Sequence, residues 1–316
     1  MTGAPVAVAH YCEGAGHATR MLAIATAIER EGHEIVLAGG GPGAPFVEEN
    51  GYEEFEPTPV DFVTDFQRDG HLAMLRRSVP NLFRRIREYR GWLDRHEPTL
   101  LVTDDITAAI AAATGSTPYH YLAHDPAELY ETATERLGAR VRNGIPLRTA
   151  EHCYFPKVWS GDPAITGAEP VGPIAPQSEP IDASVDVLLV PSAFSLDRER
   201  LIGRLVDRGH EVTVVGGEDW EIVPSLQPYV EAASLVVCSG YSTIMEAAVA
   251  GTPCLVVPHT SEQRGVARAI AGRRGFYSAE TLAEIESLLD DVEPPEPSDN
   301  GVPTVVERVT DVLAGR

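Results

Sequence analysis

The chain has 316 residues, 43% of them hydrophobic, and carries 25 Lys and Arg against 47 Asp and Glu, a formal charge of −22. That length suits two ordinary α/β cores, and therefore a cleft between them. The charge excludes a general binder of nucleic acid or anionic membrane, whose phosphates it would repel.

Lys157 is the one lysine and every other basic residue is Arg, a bias that resembles extreme halophile proteomes, so the acidity reads as solvation in high salt. Cys12, Cys153, Cys238 and Cys254 have no paired spacing for zinc or a redox dithiol, and read as buried free thiols. Met1–Pro5 leads into a short apolar run with no basic stretch and no membrane-length segment, so the expectation is a cytoplasmic protein.

In chain order, Val6–His10 is an apolar strand, Glu13-Gly14-Ala15-Gly16-His17 a tight loop, and Ala18–Arg30 an amphipathic helix ended by Gly32. Glu34–Ala38 reads as the next strand. Phe62–His96 is helical in pattern and a candidate for acceptor specificity. Leu100–Thr103 then stops at Asp104-Asp105, Ile106–Thr114 is a helix, and Tyr119–Ala123 is a strand closed by His124-Asp125-Pro126. Strands alternating with helices predict a parallel, doubly wound sheet.

The Pro- and Gly-rich stretch Phe155–Ser184 can sustain neither a long helix nor a central strand and is read as the interdomain linker, which divides the chain into 1–170 and 171–316. The pattern then restarts: strand Val185–Val190, helix Leu196–Asp207, strand Glu211–Val215, a short helix at Tyr229–Ala233 and strand Leu235–Cys238. After Gly251-Thr252-Pro253 come strand Cys254–Val257 and helices at Ala267–Ala271 and Thr281–Leu289; Thr304–Leu313 is expected to pack back on the first domain.

The most informative segment is Cys238-Ser239-Gly240-Tyr241-Ser242-Thr243-Ile244-Met245-Glu246. A strand that turns at Ser239-Gly240 into a helix at Ser242-Thr243 presents backbone N–H groups without intrahelical partners, and the helix dipole favours an anion there. Glu246, one turn in, could accept hydrogen bonds from two ribose hydroxyls. The bland alternative is a capping box, with Ser242 or Thr243 as N-cap and Glu246 in the first turn.

Across the wider window, Ser-Gly-x-Ser-Thr-x-x-Glu, then Ala-Gly-x-Pro, then an apolar strand ending at Pro258, then Glu262-Gln263, resembles the donor-binding signature of GT-B glycosyltransferases, nearest to family 28. The resemblance implies two Rossmann-like parallel-sheet domains facing a cleft. It implies that Ser239, Gly240, Ser242 and Thr243 hold a nucleoside diphosphate, Glu246 the ribose, and Glu262 and Gln263 the donor sugar. Ile222 and Val223, before Pro224, match the segment beside the base. Two departures are Val266, where an asparagine is usual, and Pro191-Ser192-Ala193-Phe194, where a glycine-rich turn is expected.

The loop Gly14-Ala15-Gly16-His17 resembles the cleft-facing glycine-rich loop of the same superfamily. His17 is the candidate general base, because an imidazole titrates near neutral pH. His124-Asp125 sits where open α/β sheets place ligands, and by position it resembles a histidine–acid pair of the family 28 members that make lipid II. Either Asp105 or Asp125 could orient His17 or replace it, and Asp125 is taken as the catalytic partner; helix capping explains Asp105, and a structural role is favoured for Asp104 as well.

A dinucleotide oxidoreductase is disfavoured, since Thr19 occupies the sixth position of Gly-x-Gly-x-x-Gly and Ala38-Gly39-Gly40 follows the second strand. Gly-x-Ser-x-Gly is absent, which removes a serine hydrolase. Neither a spaced Asp-x-Asp nor a His-Glu-x-x-His motif occurs, so no metal and no cofactor is expected beyond the nucleotide sugar as co-substrate. The expected reaction is metal-independent, inverting transfer from a UDP-sugar to an acceptor hydroxyl. Rivals of the same fold are a nucleotide-sugar 2-epimerase or hydrolase; one of another class is a non-catalytic nucleotide-sugar-binding subunit. A lipid-linked acceptor would require an apolar face, for which Phe62–Trp92 is the candidate, and a peripheral contact with the inner face of the membrane.

Overall fold

The computed structural model describes residues 4–60, 62–191, 198–217 and 220–315, and of residues 62–78 and Asp290 only the backbone. The expected departure at Ser192-Ala193-Phe194 and the first two residues of the Leu196–Asp207 helix lie outside the described residues.

The first half runs β1 (Val6–Ala9), α1 (Ala15–Arg30), β2 (Ile35–Ala38), α2 (Ala44–Glu49), β3 (Glu54–Phe55), α3 (Phe62–His96), β4 (Leu100–Thr103), α4 (Ile106–Ala113), β5 (Tyr119–Leu122), α5 (Ala133–Gly144), α6 (Pro146–Thr149), β6 (His152–Pro156) and β7 (Glu169–Val171). Its sheet has the order β3-β2-β1-β4-β5-β6-β7, with every neighbouring pair parallel. Parallel strands need both faces covered, and the period-2 alternation shows how. Val6, Val8, Leu100 and Val102 join one core with Met21, Ile24 and Ile28 of α1. Ala7, Ala9 and Leu101 join another with Tyr89 and Trp92 of α3 and the alanines of α4.

The second half runs β8 (Val185–Val190), α7 (Arg198–Asp207), β9 (Val212–Val214), α8 (Gln227–Ala232), β10 (Ala233–Cys238), α9 (Tyr241–Ala250), β11 (Cys254–Val256), α10 (Ser261–Ile270), β12 (Phe276–Ser278), α11 (Leu282–Leu288) and α12 (Val302–Ala314). Its sheet is β12-β11-β10-β8-β9, again wholly parallel. The first sheet reverses direction between β1 and β4, the second between β8 and β10. Ligand sites of open α/β sheets form at the carboxyl ends of strands flanking such a reversal.

Two elements refine the expected division of the chain. The Pro-rich stretch contains β7, an edge strand where Pro170 is tolerated because one side of its backbone needs no ladder partner, and the 170/171 division falls inside it. The terminal helix returns to the first domain as expected: Val302, Val305, Val306 and Val309 of α12 are buried in the core that holds Ile24 and Ile28.

Candidate functional site

The donor-side segment is built by the β10–α9 turn. Gly240 is the N-cap of α9, in extended conformation, and no side chain caps the helix. The capping-box alternative for Ser242, Thr243 and Glu246 is therefore absent, and the first N–H groups of α9 are presented as an anion site needs. Ser239 and Thr243 are buried beside this turn. Glu246 is buried as well, and its Oε2 has no hydrogen-bond partner. Burial without a counter-charge pushes its carboxyl up to about 8.

The acceptor-side cluster forms at the other reversal, between β1 and β4. Gly14 takes a φ of 89°, in the left-handed region that favours glycine, and this turns the chain into α1 with His17 in its first turn. Asp104, the first residue after β4, receives the His17 ring through Nδ1 at 2.8 Å. Its Oδ1 accepts from the Tyr11 amide at 2.9 Å, and Arg20, one turn along α1, closes on the same carboxylate. Burial works against charge on Asp104, but His17 and Arg20 hold it well below the usual carboxylate range. With Nδ1–H directed to Asp104, Nε2 is left as the acceptor of the His17 ring.

The structure thus places Asp104, not Asp125, against His17. Asp125 is buried and engaged by Arg142 and by the Tyr130 hydroxyl at 3.2 Å. Its neighbour His124 packs edge-on against His17, with ring centroids 5.0 Å apart; burial, Arg20 and His17 push its pKa well below the ordinary imidazole value. Asp105 is structural, as expected: it caps α4 through the Thr107 amide at 2.7 Å and neutralises the fully buried Arg85. Asp104 is buried and turns toward α1, where it pairs with His17 and Arg20, whereas Asp105 turns back onto Arg85 and α4. One signal for the Asp104 pair was present in the sequence: an arginine three residues after His17 shares its helix face.

The two halves meet directly. The Ser242 hydroxyl donates to the Gly16 carbonyl at 2.8 Å, and a Cβ on Gly16 would lie 2.6 Å from Ser242 Oγ. Between the halves a cavity of about 340 Å³ runs along Thr19, Leu22 and Thr26 of α1 to Val223, Pro224 and Tyr229. Val223 lines it and Ile222 is 48% exposed beside it, so the segment expected near the base borders an interdomain cavity. Helix α10 carries the expected sugar contacts. Glu262 has its pKa raised by burial, against Arg142, His17 and Arg20. Gln263 is committed locally, its Oε1 accepting from the His259 and Thr260 amides in a capping box. Val266 is buried in the core.

Residues 214–292, which contain this whole donor-side segment, match the family model of the glycosyltransferase family 28 C-terminal domain. The chain has the two-domain GT-B fold, and its second domain is similar to the family 28 C-terminal domain. Its architecture is similar to that of several solved structures. The Streptomyces sp. SF2575 glycosyltransferase SsfS6 with thymidine diphosphate aligns with a TM-score of 0.66 at 17% identity, covering 99% of this chain and 96% of that one. SnogD from Streptomyces nogalater gives 0.62 at 18%, with 99% and 96% covered, and Acinetobacter baumannii MurG gives 0.58 at 13%, with 97% and 99% covered. A search of curated proteins finds no match. The family match ends before α12, the helix that ties the second domain to the first.

Proposed function

We propose that the protein transfers a sugar from a nucleoside diphosphate-sugar to an acceptor hydroxyl, with inversion and without a metal. The observation that carries this reading is the uncapped N-terminus of α9 facing the His17–Asp104 pair across the interdomain contact. The diphosphate takes the N–H groups of Ser242 and Thr243 beside the Ser239-Gly240 turn, and the orphaned Glu246 carboxyl takes the ribose hydroxyls. The base borders Ile222 and Val223, and the sugar lies toward Glu262.

His17 Nε2 removes the acceptor proton as its oxygen bonds to the anomeric carbon. The bond from that carbon to the phosphate oxygen breaks, and the departing charge is met by the helix terminus. Asp104 keeps the imidazole in the required tautomer and stabilises the imidazolium. Because Ser242 and Gly16 are in contact, the domains part to admit the donor and close again over it.

Phe83, 67% exposed, lies on α3 with exposed Arg87 and Arg90 at helical spacing, an apolar and basic strip suited to a lipid-linked acceptor at a membrane surface. No helix among the described residues is long and apolar enough to cross a membrane.

The test is thermal unfolding in high-salt buffer with and without uridine and thymidine diphosphate, for wild type and Glu246→Ala. A ligand at a hundredfold excess over its Kd stabilises by about 2.7 kcal/mol. A shift in the wild type that is lost in Glu246→Ala is expected; no shift with either nucleotide sinks the reading.

A further inference from the structure

Helix α10 of the second domain is fastened to the first domain around the Glu131 carboxylate. Glu131, in the segment between β5 and α5, accepts from Arg264 Nε at 3.0 Å and Nη2 at 3.3 Å, and from Arg268 Nη1 at 3.3 Å. The Glu131 amide donates to the Ser261 hydroxyl at 2.8 Å, which in turn donates to Glu135 at 3.2 Å, and Arg268 also donates to the Leu129 carbonyl. At the centre of this contact is Gly265, buried, where a Cβ would lie 2.1 Å from the Leu129 carbonyl oxygen. Both partners there are backbone, so only glycine lets the helix approach this closely. The segment that α10 grips follows directly on Asp125 and contains Tyr130, which donates to that carboxylate.

We propose that Glu131 is a positioning residue: through its arginine clamp, and through the glycine approach at residue 265, it registers the helix bearing Glu262 against the acceptor-side cluster and so sets the closed geometry in which transfer occurs. This rests on the reading of α10 as the donor-sugar helix. The clamp is half-exposed and built from charge pairs, so it is weak enough to release for donor entry and strong enough to bias closure. A chain of −22 charge would otherwise resist bringing two acidic domains together. The arginines of α10 supply opposite charge where the domains touch.

The experiment compares the wild type with Glu131→Arg, Gly265→Ala and the triple variant Glu131→Arg, Arg264→Glu, Arg268→Glu. Solution scattering reads the domain separation, and uridine diphosphate-induced thermal shift reads the donor site. Glu131→Arg and Gly265→Ala are expected to show a larger radius of gyration with the nucleotide shift retained, and the triple variant to return to the wild-type radius. Alanine is favoured over glycine inside a helix, so expansion in Gly265→Ala reports lost approach and not a weakened helix. Given an acceptor, kcat falls roughly three- to tenfold in Glu131→Arg, as expected for a half-exposed ion-pair cluster, while the donor KM holds. Wild-type radii in both single variants, or loss of the nucleotide shift together with the expansion, would overturn the proposal. If the wild type binds no nucleoside diphosphate, the donor-site reading fails, and the scattering comparison still decides the clamp.

Discussion

Three carboxylates near the cleft have been put to different uses by their surroundings. Asp104 faces His17 and Arg20 and stays charged; Glu246 faces no counter-charge and is pushed up to about 8; Asp125 is engaged by Arg142 and Tyr130. Asp104→Asn is expected to lower kcat by about 10²- to 10⁴-fold, the range of general-base assistance. It also leaves Arg20 with a weakened partner, a loss of up to about 3–5 kcal/mol of stability by the measure of broken buried pairs. Steady-state kinetics and denaturant unfolding check the two effects separately, and full activity in the variant would remove Asp104 from the mechanism. For Glu246 the sign of the pH effect follows from its raised value. Between the unfolded value of 4.5 and about 8 the folded, free protein holds a proton that the unfolded chain lacks, so this group's contribution to stability is present below 4.5 and lost as pH rises through 8. Ribose hydroxyls donating to the carboxylate favour its charged form. Nucleotide binding should then release about one proton near pH 7 and tighten as pH rises toward 8, by up to about tenfold per unit. Calorimetry in buffers of different ionisation enthalpy measures the proton count, and no release, or the same release in Glu246→Gln, would refute the link.

At the scale of elements, the turns that carry the candidate site residues were legible because loops after strands carry local signatures. The glycines before His17 and the Ser239-Gly240 pair each declare a tight turn into a helix, and the structure has those turns; that α9 opens at Tyr241 without a side-chain cap was not legible, since a capping box at Ser242 or Thr243 fitted the sequence as well. The His17 partner was not legible, because two adjacent acids after β4 point to opposite sides of the chain and only the register of β4 against β1 decides which meets α1. Gln263 likewise reads as a sugar contact by motif, yet its oxygen caps α10, a local use the spacing from Thr260 also permits. The short elements α2, β3, α6, β6, β7 and β12 escaped for want of length over which any period could repeat, and the 12-residue α5 escaped as well. Helix α12 is the element whose removal should matter most. Ending the chain at Gly301 strips four buried valines from the first core, at about 1.5 kcal/mol or more each. That sum is comparable with the whole stability of a domain. Calorimetry should show the first domain melting at least several degrees lower or failing to fold; an unchanged midpoint would mean that α12 is dispensable.

At the scale of the molecule, the two sheets bring their direction reversals face to face, so residues more than two hundred positions apart, Gly16 and Ser242, share a hydrogen bond. Alternating apolar strands and amphipathic helices were enough to specify two parallel, doubly wound domains, because burying both faces of a sheet imposes a repeating local pattern. The Ser239-Gly240 turn into α9 was equally determined, since it lies in one short stretch of chain. What only the tertiary structure decided were the pairings across sequence distance: Asp104 with His17, Glu131 with Arg264 and Arg268, Gly265 against Leu129 and α12 against α1. A pattern read along one chain records which side chains will be buried; which buried or charged group meets which is set by strand register and by how two domains dock, and neither leaves a period in the sequence.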